Sequence, residues 1–572
     1  MNLFNCDKEF FFISSENLDN ITTKLYGFTI QDNGIIENAN INCLKLPLGG
    51  IGAYVYIERT KKHIKIHQDF NGSYGLYYFK RGNYFALSNS FLYLIDHIKD
   101  KFNLTFNHNF ANYMYPLTLC SEAYKDTLTK DIVRLDKDIV LKINLRTKKI
   151  TTTQTNWEIR TQQIDSEQGV QILDTWFEKW TKLFRVLKSK TNNITVALSG
   201  GLDSRLTFCL ALMSGIDLKT TRINSINDSV HKEDFNIASE IAKYFDFELN
   251  KLDFTSKPLN FSFRDIMRMV AYVRLPFHKE LHYNFQKQAH KYYVVGGDGG
   301  ENLRKYYDVP ASEIAAPYLK KIDGYKNSEE IKQSFLTIFN DTIKEIQTKY
   351  NIDDISSKDV SSLLYMNARA CYHFGSGVIT EYFKNHFTLT PLLDPLILKL
   401  KLNTSECQDS NLLIATIFSR YCPKLLDFKI QGNRFIEPST IEFANKINKK
   451  YPVDMNKLLS TKHDTEYNII TTDKELLNIE NTNEGVPVDY PDKFLKSIFD
   501  SEFFEEFITK YFDQERYNYA KNHYNKSSHY RLREIYSLIA NAMIIKIIEQ
   551  NKKTWTQNIK RYFAKLFKHK NN

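Results

Sequence analysis

Hydrophobic and polar positions change their spacing near residue 160 of the chain. Before it, short apolar runs such as GAYVYIER, HIKIHQDF, YGLYYFKRGNYFALSNS and DIVLKINL alternate with turn residues such as FNGSYG and KRGN. These runs predict strands of a β-rich, largely antiparallel domain. After it, amphipathic helix patterns such as VQILDTWFEKWTKLFRVL alternate with single apolar runs, namely ITVALS, TTRINS and YYVVGG. Strands that alternate with helices predict a parallel sheet covered by helices.

The pattern predicts three parts. A chain of 572 residues is too long for one compact core, so two or three domains are expected. The first domain is predicted at residues 1–160 and the α/β domain at 165–440. The remainder, 441–572, is predicted to be a helical, polar and basic extension that contains the loop-like stretch NIENTNEGVPVDYPD.

Composition narrows the class of protein. The chain is 42% hydrophobic and 25% charged, as is usual for folded soluble proteins. A net charge of +10 spread over this length is no nucleic-acid signature, so no nucleic-acid partner is expected. Seven cysteines form no CxxC pair, and the start MNLFNCDKEFFF lacks the features of a signal peptide. We therefore expect a cytoplasmic protein in a reducing compartment.

The turn SGGLDS, residues 199–204, joins the predicted strand ITVAL to the predicted helix LTFCLALM. In parallel α/β folds, ligands bind where strands end and helices begin. A glycine-rich turn at a helix N terminus presents backbone amides and partial positive charge, which suits phosphate. The predicted phosphate-binding residues are Leu198, Ser199, Gly200, Gly201, Leu202, Asp203 and Ser204, with the two serines as hydroxyl donors.

Asp203 is the unusual member of this turn. A carboxylate beside a phosphate is repulsive unless a cation lies between them, so Asp203 predicts a Mg²⁺ that bridges to a polyphosphate. The alternative is a helix-capping turn without a ligand. The turn is not a Walker motif, because no GKS or GKT follows it.

SGGLDS resembles the pyrophosphate loop of the N-type ATP pyrophosphatases, and among them that of the asparagine synthetase family. Further segments are similar to that family. SVHKEDFNIASEIAKYFDFEL resembles the segment after its second strand, and VVGGDGGEN resembles its motif SGEGSDE. TLTPLLDPLILKLKL resembles its segment RVPFLDH, with Pro391, Leu392, Leu393 and Asp394 matching. QDFNGSYGLYYFKRGNYFALSNSFLYL resembles its glutaminase-like domain. The resemblance covers about residues 1–435.

The resemblance implies both a fold and a reaction. The expected fold is an α+β glutaminase-like (Ntn-type) sandwich, followed by an α/β parallel-sheet ATP-pyrophosphatase domain with a helical C-terminal extension. The family converts ATP to AMP and pyrophosphate by adenylating a carboxylate, and an amine then displaces AMP to form an amide. By this resemblance Gly297 adds to the ATP site, and Asp203 and Glu301 hold Mg²⁺.

Three departures from the family pattern change the expectation. Position 2 is Asn where the glutaminases have their nucleophilic cysteine, and no RGPD-type segment is present. No glutamine hydrolysis is therefore expected, which makes the chain closest in kind to β-lactam synthetases and lasso-peptide cyclases. Glu301 stands where the family usually has Asp. FTLTP, at 387–391, lacks both charges of the family's E-x-R-x-P, so nothing specifies an aspartate-like substrate.

Two residues are candidates for catalysis. Asp298 holds the place of a family residue near the acyl-adenylate, where a base would take a proton from the attacking amine; the alternative is a turn aspartate in a glycine-rich loop. Lys429 is the candidate for the lysine that stabilises charge on pyrophosphate and on the tetrahedral intermediate. Lys424 and Arg434 compete with it, and a solvated surface lysine is the alternative.

The C-terminal stretch KKTWTQNIKRYFAKLFKHK separates apolar from basic positions at helical spacing. A helix at residues 552–570 is expected either to dock on the protein's own core or to lie on an anionic membrane surface. The second alternative would place the protein peripherally at the inner face of the membrane.

The sequence thus predicts an ATP- and Mg²⁺-dependent amide-forming ligase that uses ammonia or an amine donor. Family members without the cysteine act on peptide precursors, on small amino acids or on uronic acids of surface polysaccharides, and the basic tail favours the last group. Two alternatives are a non-catalytic scaffold of a biosynthetic complex and a glutamine-dependent asparagine synthetase. Asn2 argues against the latter.

Overall fold

The computed structural model describes residues 9–31, 34–37, 46–114, 125–251, 258–259, 271–275, 287–288, 291–304, 307, 309–323, 327–354, 358–459, 500, 502–511, 514–523, 539, 541–542 and 544–549. Position 2 and the basic stretch 552–570 lie outside these ranges.

Two antiparallel sheets form the N-terminal part, and they contain the strands that the apolar runs predict. The strands, in chain order, are β1 (Ile13–Ser14), β2 (Lys24–Gln31), β3 (Gly34–Glu37), β4 (Ile51–Arg59), β5 (His63–Gln68), β6 (Tyr77–Arg81), β7 (Tyr84–Ser88), β8 (Ile132–Arg134), β9 (Ile139–Asn144) and β10 (Ile150–Gln154). The larger sheet has the order β10-β9-β5-β4-β2-β3, and the smaller one β1-β7-β6-β8.

Four parallel strands form the next sheet. They are β11 (Ile194–Ala197), β12 (Arg222–Asn224), β15 (Tyr292–Val295) and β16 (His386–Leu389), in the order β12-β11-β15-β16. The apolar runs ITVALS, TTRINS and YYVVGG therefore lie side by side with their carboxyl ends at one edge. A two-stranded antiparallel ribbon, β13 (Pro258–Leu259) with β14 (Lys287–Gln288), is separate from this sheet.

Helices surround and connect these sheets. They are α1 (Phe91–Ile98), α2 (His108–Met114), α3 (Glu167–Lys190), α4 (Leu202–Met213), α5 (Lys232–Tyr244), α6 (Ala311–Ile322), α7 (Ser328–Tyr350), α8 (Lys358–Leu364), α9 (Gly375–Phe383), α10 (Pro395–Leu398), α11 (Leu412–Tyr421), α12 (Pro438–Lys450), α13 (Met455–Leu459), α14 (Glu502–Tyr511) and α15 (Gln514–His523). A π-helical segment, Tyr365–Phe374, joins α8 to α9. Across the described ranges, no helix has both the length and the apolar character needed to cross a membrane.

Helix α3 shows how the amphipathic pattern acts. Ser166 caps its N terminus by accepting a hydrogen bond from the Gly169 amide at 3.0 Å, which satisfies one of the amides that a helix start leaves unpaired. Its apolar stripe carries Trp176 and Trp180 into the core, where both are fully buried. Helices that bury one stripe in this way are held mainly by tertiary packing.

The N-terminal sheets and the parallel sheet share one hydrophobic core. Phe28 of β2 lies against Tyr382 of α9 and Phe387 of β16, with ring centroids 5.5 and 5.1 Å apart. Phe10 packs on Phe383 at 5.9 Å. Aromatic pairs at these separations add to the free energy gained by burying the rings. The face of the larger N-terminal sheet is therefore a wall of the core that also supports β16.

Asp69 organises the turn that follows β5. Its carboxylate accepts hydrogen bonds from the backbone amides of Tyr54, Asn71 and Ser73 and from the Ser73 hydroxyl, all at 3.0–3.1 Å. Burial raises the pKa of Asp69 to about 6, although these hydrogen bonds act in the opposite direction. The aspartate of QDFNGSYG thus has a structural role in this chain.

The raised pKa of Asp69 predicts a pH-dependent stability. Its usual value is 3.8 and its value in the folded chain is about 6, so the carboxyl takes up a proton on folding between these pH values. The stability that protonation contributes, up to about 3 kcal/mol, is present below the lower pKa and is lost as the pH rises through the higher one.

Chemical unfolding of the wild type and of Asp69→Asn between pH 4 and 7 measures this effect. We expect the stability difference between them to shift in favour of the wild type as the pH falls. Asp19→Asn, at an exposed carboxyl, should follow the wild-type pH dependence. Parallel curves for the wild type and Asp69→Asn would contradict the assignment.

Candidate functional site

The turn between β11 and α4 lies at the carboxyl edge of the parallel sheet. The Leu198 amide donates to the Asn224 carbonyl of β12 at 2.8 Å, which fixes the point where the turn leaves the sheet. Helix α4 begins at Leu202, and its N-cap is Gly201, which provides no side-chain cap. A helix start without a side-chain cap leaves its first amides available to an anion, and the helix dipole favours negative charge there.

The two serines of the turn bond within the turn. The Ser204 hydroxyl accepts from the Ser199 amide at 3.0 Å, and the two hydroxyl oxygens lie 2.9 Å apart. The Ser199 hydroxyl also accepts from the Gly201 amide at 3.2 Å. The amides of residues 199 and 201 are therefore not bare, because serine oxygens hold them. In this conformation the hydroxyls brace the turn.

The loop after β15 approaches the start of α4 closely enough to require glycine. A Cβ on Gly297 would lie 2.6 Å from the Ser204 nitrogen, and one on Gly300 would overlap the Asp203 side chain. Gly299 has φ +84°, and a side chain there would overlap Leu393. The glycines of GGDGG thus allow backbone to pack directly against the turn.

The 3₁₀-helix Gly300–Leu303 carries Glu301 in its first turn, and Arg304 follows the helix in extended conformation. Arg304 donates through Nη2 to Oδ2 of Asp203 at 2.7 Å, and Glu301 interacts electrostatically with the same carboxylate. The structure therefore brings Asp203 and Glu301 together, with Arg304 as an additional cation.

Two carboxylate oxygens here are of the type that a divalent cation takes as ligands. Among the residues that the structure describes, Oδ1 of Asp203 and Oε2 of Glu301 are buried without a hydrogen-bond partner, and such unpaired buried anions are costly. Mg²⁺ usually takes one or two protein carboxylates and completes its octahedron with phosphate oxygens and water. Within the described ranges, no group of three or more His, Cys, Asp or Glu side chains could hold a metal ion. Asp203 and Glu301 would thus hold Mg²⁺ together with a phosphate, whose charge it would offset.

Burial at this site, together with neighbouring charges, raises the pKa of two carboxyls. Burial raises the pKa of Asp203 to about 6, with Arg304 opposing and Glu301 reinforcing the shift. Burial likewise raises the pKa of Asp298 to about 6, with added repulsion from Glu301 and Glu381. Asp298 is thus a carboxyl that releases its proton near neutral pH, the range in which a general base works best.

Glu381 is the fixed charge beside Asp298. Burial raises the pKa of Glu381, but hydrogen bonds from His386 and Lys384 outweigh that effect and lower it to about 2. His386 Nδ1 and Lys384 Nζ lie 3.1 and 2.6 Å from its oxygens. Glu381 therefore stays ionised and keeps a negative potential on Asp298.

Lys429 is brought to the turn by a neighbouring arginine. The buried guanidinium of Arg205 donates to the carbonyls of Lys429 at 2.5 Å, Phe428 at 2.9 Å and Gly200 at 3.3 Å. One side chain thus ties the segment of Lys429 to the turn, while the Lys429 side chain itself is exposed. Of the two competing cations, Lys424 pairs with Asp427 at 2.8 Å, and Arg434 is exposed on a neighbouring turn.

Strand β16, which follows helix α9, carries core residues at the two positions where the sequence comparison expected charges. Phe387 and Leu389 are both buried in β16, so charged side chains at these positions would enter the core. Asp394 caps helix α10 by accepting from the Leu396 amide, and it also accepts from Trp180 Nε1 at 2.8 Å. The segment TLTPLLDP therefore fixes the sheet edge beside Gly299.

Sequence patterns gave no role to three residues that complete this site. Arg205 directly follows SGGLDS, and its buried position in the helix after the turn is the only sequence feature that points to it. No sequence feature points to Glu381. For Arg304, nothing in the local sequence indicates that its side chain turns back to Asp203.

The chain matches none of the protein families for which sequence models were compared. Comparison with curated proteins gives no match either.

The close packing of the two loops predicts that Gly297→Ala destabilises the protein. Its Cβ would meet backbone atoms that have no room to move, and overpacking of this kind costs about 1–3 kcal/mol. Gly377→Ala is the matched control, because its Cβ would meet nothing within 4 Å and helix α9 favours alanine. Thermal unfolding measures both variants, and equal melting temperatures would contradict the packing.

Proposed function

We propose that the protein is an ATP-dependent amide-forming ligase that adenylates a carboxylate and transfers ammonia or an amine to it. The nucleotide's phosphates lie against the turn 199–204 and Gly297. Asp203 and Glu301 hold Mg²⁺ beside them. The proposed nitrogen donor is ammonia or an amine and not glutamine.

One observation carries this proposal. Two acids from separate strand-to-helix connections converge at an uncapped helix start, and each has a buried oxygen that no described residue pairs with. Two acids alone would repel a phosphate. An uncapped helix start alone is common and does not by itself indicate a binding site. Together they suit a phosphate bound with a divalent cation, because each then neutralises the other.

The remaining chemistry falls to Asp298 and Lys429. A carboxyl with a pKa of about 6 is largely ionised at neutral pH, so Asp298 serves as the base that takes a proton from the attacking amine. Lys429 reaches the phosphates from the segment that Arg205 ties to the turn, and stabilises charge as pyrophosphate leaves. Catalysis then consists mainly of positioning and of charge stabilisation.

The carboxylate is proposed to be other than aspartate. The family's charged pair is replaced by Phe387 and Leu389, which are buried. A uronic acid of a surface polysaccharide is the first candidate, and peptide or amino-acid carboxylates are the next.

A non-catalytic scaffold is the second candidate, and the Asp203–Arg304 ion pair favours it. A guanidinium already neutralises the carboxylate that would hold the metal. In a scaffold, this pair would replace the cation permanently, and the protein would bind neither Mg²⁺ nor ATP at this turn.

Binding of Mg–ATP distinguishes the two candidates. A ligand that binds the folded state raises its melting temperature by mass action, so we expect Mg–ATP to stabilise the wild type. Asp203→Asn should bind Mg–ATP at least about 10-fold more weakly, because a charged contact is lost. Glu442→Gln removes an exposed acid on α12 and should behave as the wild type. Absence of any wild-type response would support the scaffold.

The products identify the reaction. Incubation with ATP, ammonia and carboxylates carrying isotopically labelled oxygens should release pyrophosphate and transfer one labelled oxygen to AMP. Uronic acids, amino acids and peptides are compared in parallel. Formation of ADP and phosphate in place of these products would contradict adenylation.

A further inference from the structure

Arg304 lies where no local pattern predicts a functional residue, and its contacts are unusual. Its side chain is 38% exposed and pairs with a carboxylate that is 16% exposed. Its Nε is nevertheless buried without a hydrogen-bond partner among the described residues. The guanidinium is thus held at one end by Asp203, while none of the residues with a described position accepts a hydrogen bond from its Nε.

The donors of Arg304 outnumber its acceptors. A guanidinium has five N–H donors in a planar fork that matches two oxygens of a phosphate. The contact with Asp203 uses Nη2 alone. Arg304 also follows the 3₁₀-turn in extended conformation, with φ −146° and ψ 169°, so the backbone needs no change for the side chain to turn.

The position of Arg304 relative to the turn sets what the fork can reach. Asp203 is the second residue of α4. A group bonded to its carboxylate therefore lies beside the first turn of the helix, whose backbone amides have no partner within the helix. Asp203, Glu301 and Asp298 are acids of this site, Asp234 packs against Gly200 of the turn, and Arg304 is bonded to Asp203. Any polyphosphate bound here therefore lies next to this guanidinium.

We propose that Arg304 exchanges partners during the reaction, an inference that rests on the proposed function. Without nucleotide it neutralises Asp203 and keeps the site assembled. When Mg²⁺ binds to Asp203, the guanidinium moves to the β- and γ-phosphates, where it positions the pyrophosphate as a leaving group. Arg304 is thus a residue that binds the leaving group and is also a competitor of the metal.

Binding of Mg²⁺ and of inorganic pyrophosphate tests this exchange without knowledge of the carboxylate. The full chain is titrated by calorimetry at pH 8 with Mg²⁺ alone and with Mg–pyrophosphate. We expect Arg304→Ala to bind Mg–pyrophosphate roughly 10- to 100-fold more weakly, because charge-assisted hydrogen bonds are lost. The same variant should bind Mg²⁺ alone more tightly than the wild type, because the competing cation is gone.

Two further variants separate a specific role from a general loss of charge. Arg304→Lys keeps the charge but not the fork, so its pyrophosphate affinity should lie between those of the wild type and Arg304→Ala. Arg146→Ala removes an exposed arginine from the turn between β9 and β10 and should bind as the wild type does. Since Arg304 is partly exposed, its variants are expected to fold, and their melting temperatures without ligand verify this.

Each outcome decides between distinct possibilities. If Arg304→Ala binds Mg–pyrophosphate as tightly as the wild type, Arg304 is only a counterion of Asp203, and the exchange is wrong while the proposed function stands. If the wild type binds neither Mg–pyrophosphate nor Mg–ATP, the proposed function fails, and the exchange fails with it. Weaker binding of Mg²⁺ alone by Arg304→Ala would overturn the competition between guanidinium and metal.

Discussion

The close approach of two loops at the carboxyl edge of the parallel sheet governs the site. Gly297 and Gly300 lie against Ser204 and Asp203 at distances that leave no space for a Cβ. This contact determines where the 3₁₀-turn begins, and so determines where Glu301 points.

Electrostatic balance is the second constraint on this edge. Burial raises the pKa of Asp203 and of Asp298 to about 6, which reflects the cost of burying each carboxylate in its charged form. Arg304 offsets part of that cost on one side, while on the other Glu381 adds to it. Among the described residues, one oxygen each of Asp203 and Glu301 is left without a partner. Such a site favours binding of a cation, which is either a basic side chain or a metal ion.

The sequence predicts most of the local elements around the site, because their signals are local. Apolar runs bounded by Gly and Asn mark β4, β11 and β15, and the helical stripe of Trp176 and Trp180 marks α3. The serines illustrate the limit: their type predicts donors to a ligand, but in the folded turn they satisfy its own amides. The pairing of Asp203 with Arg304 could not be predicted, since it joins residues 101 positions apart. The assignment of the family, and with it the reaction, remains a prediction.

The shared aromatic core makes the packing of the parallel sheet depend on the N-terminal half. Phe28 fills a space between Tyr382 and Phe387, and Phe387 belongs to the strand that ends at the site. Deleting the first half would expose β16 and the aromatic side chains packed on it to solvent. The first half is therefore part of the folding unit that holds the site, independently of any role of its own residues.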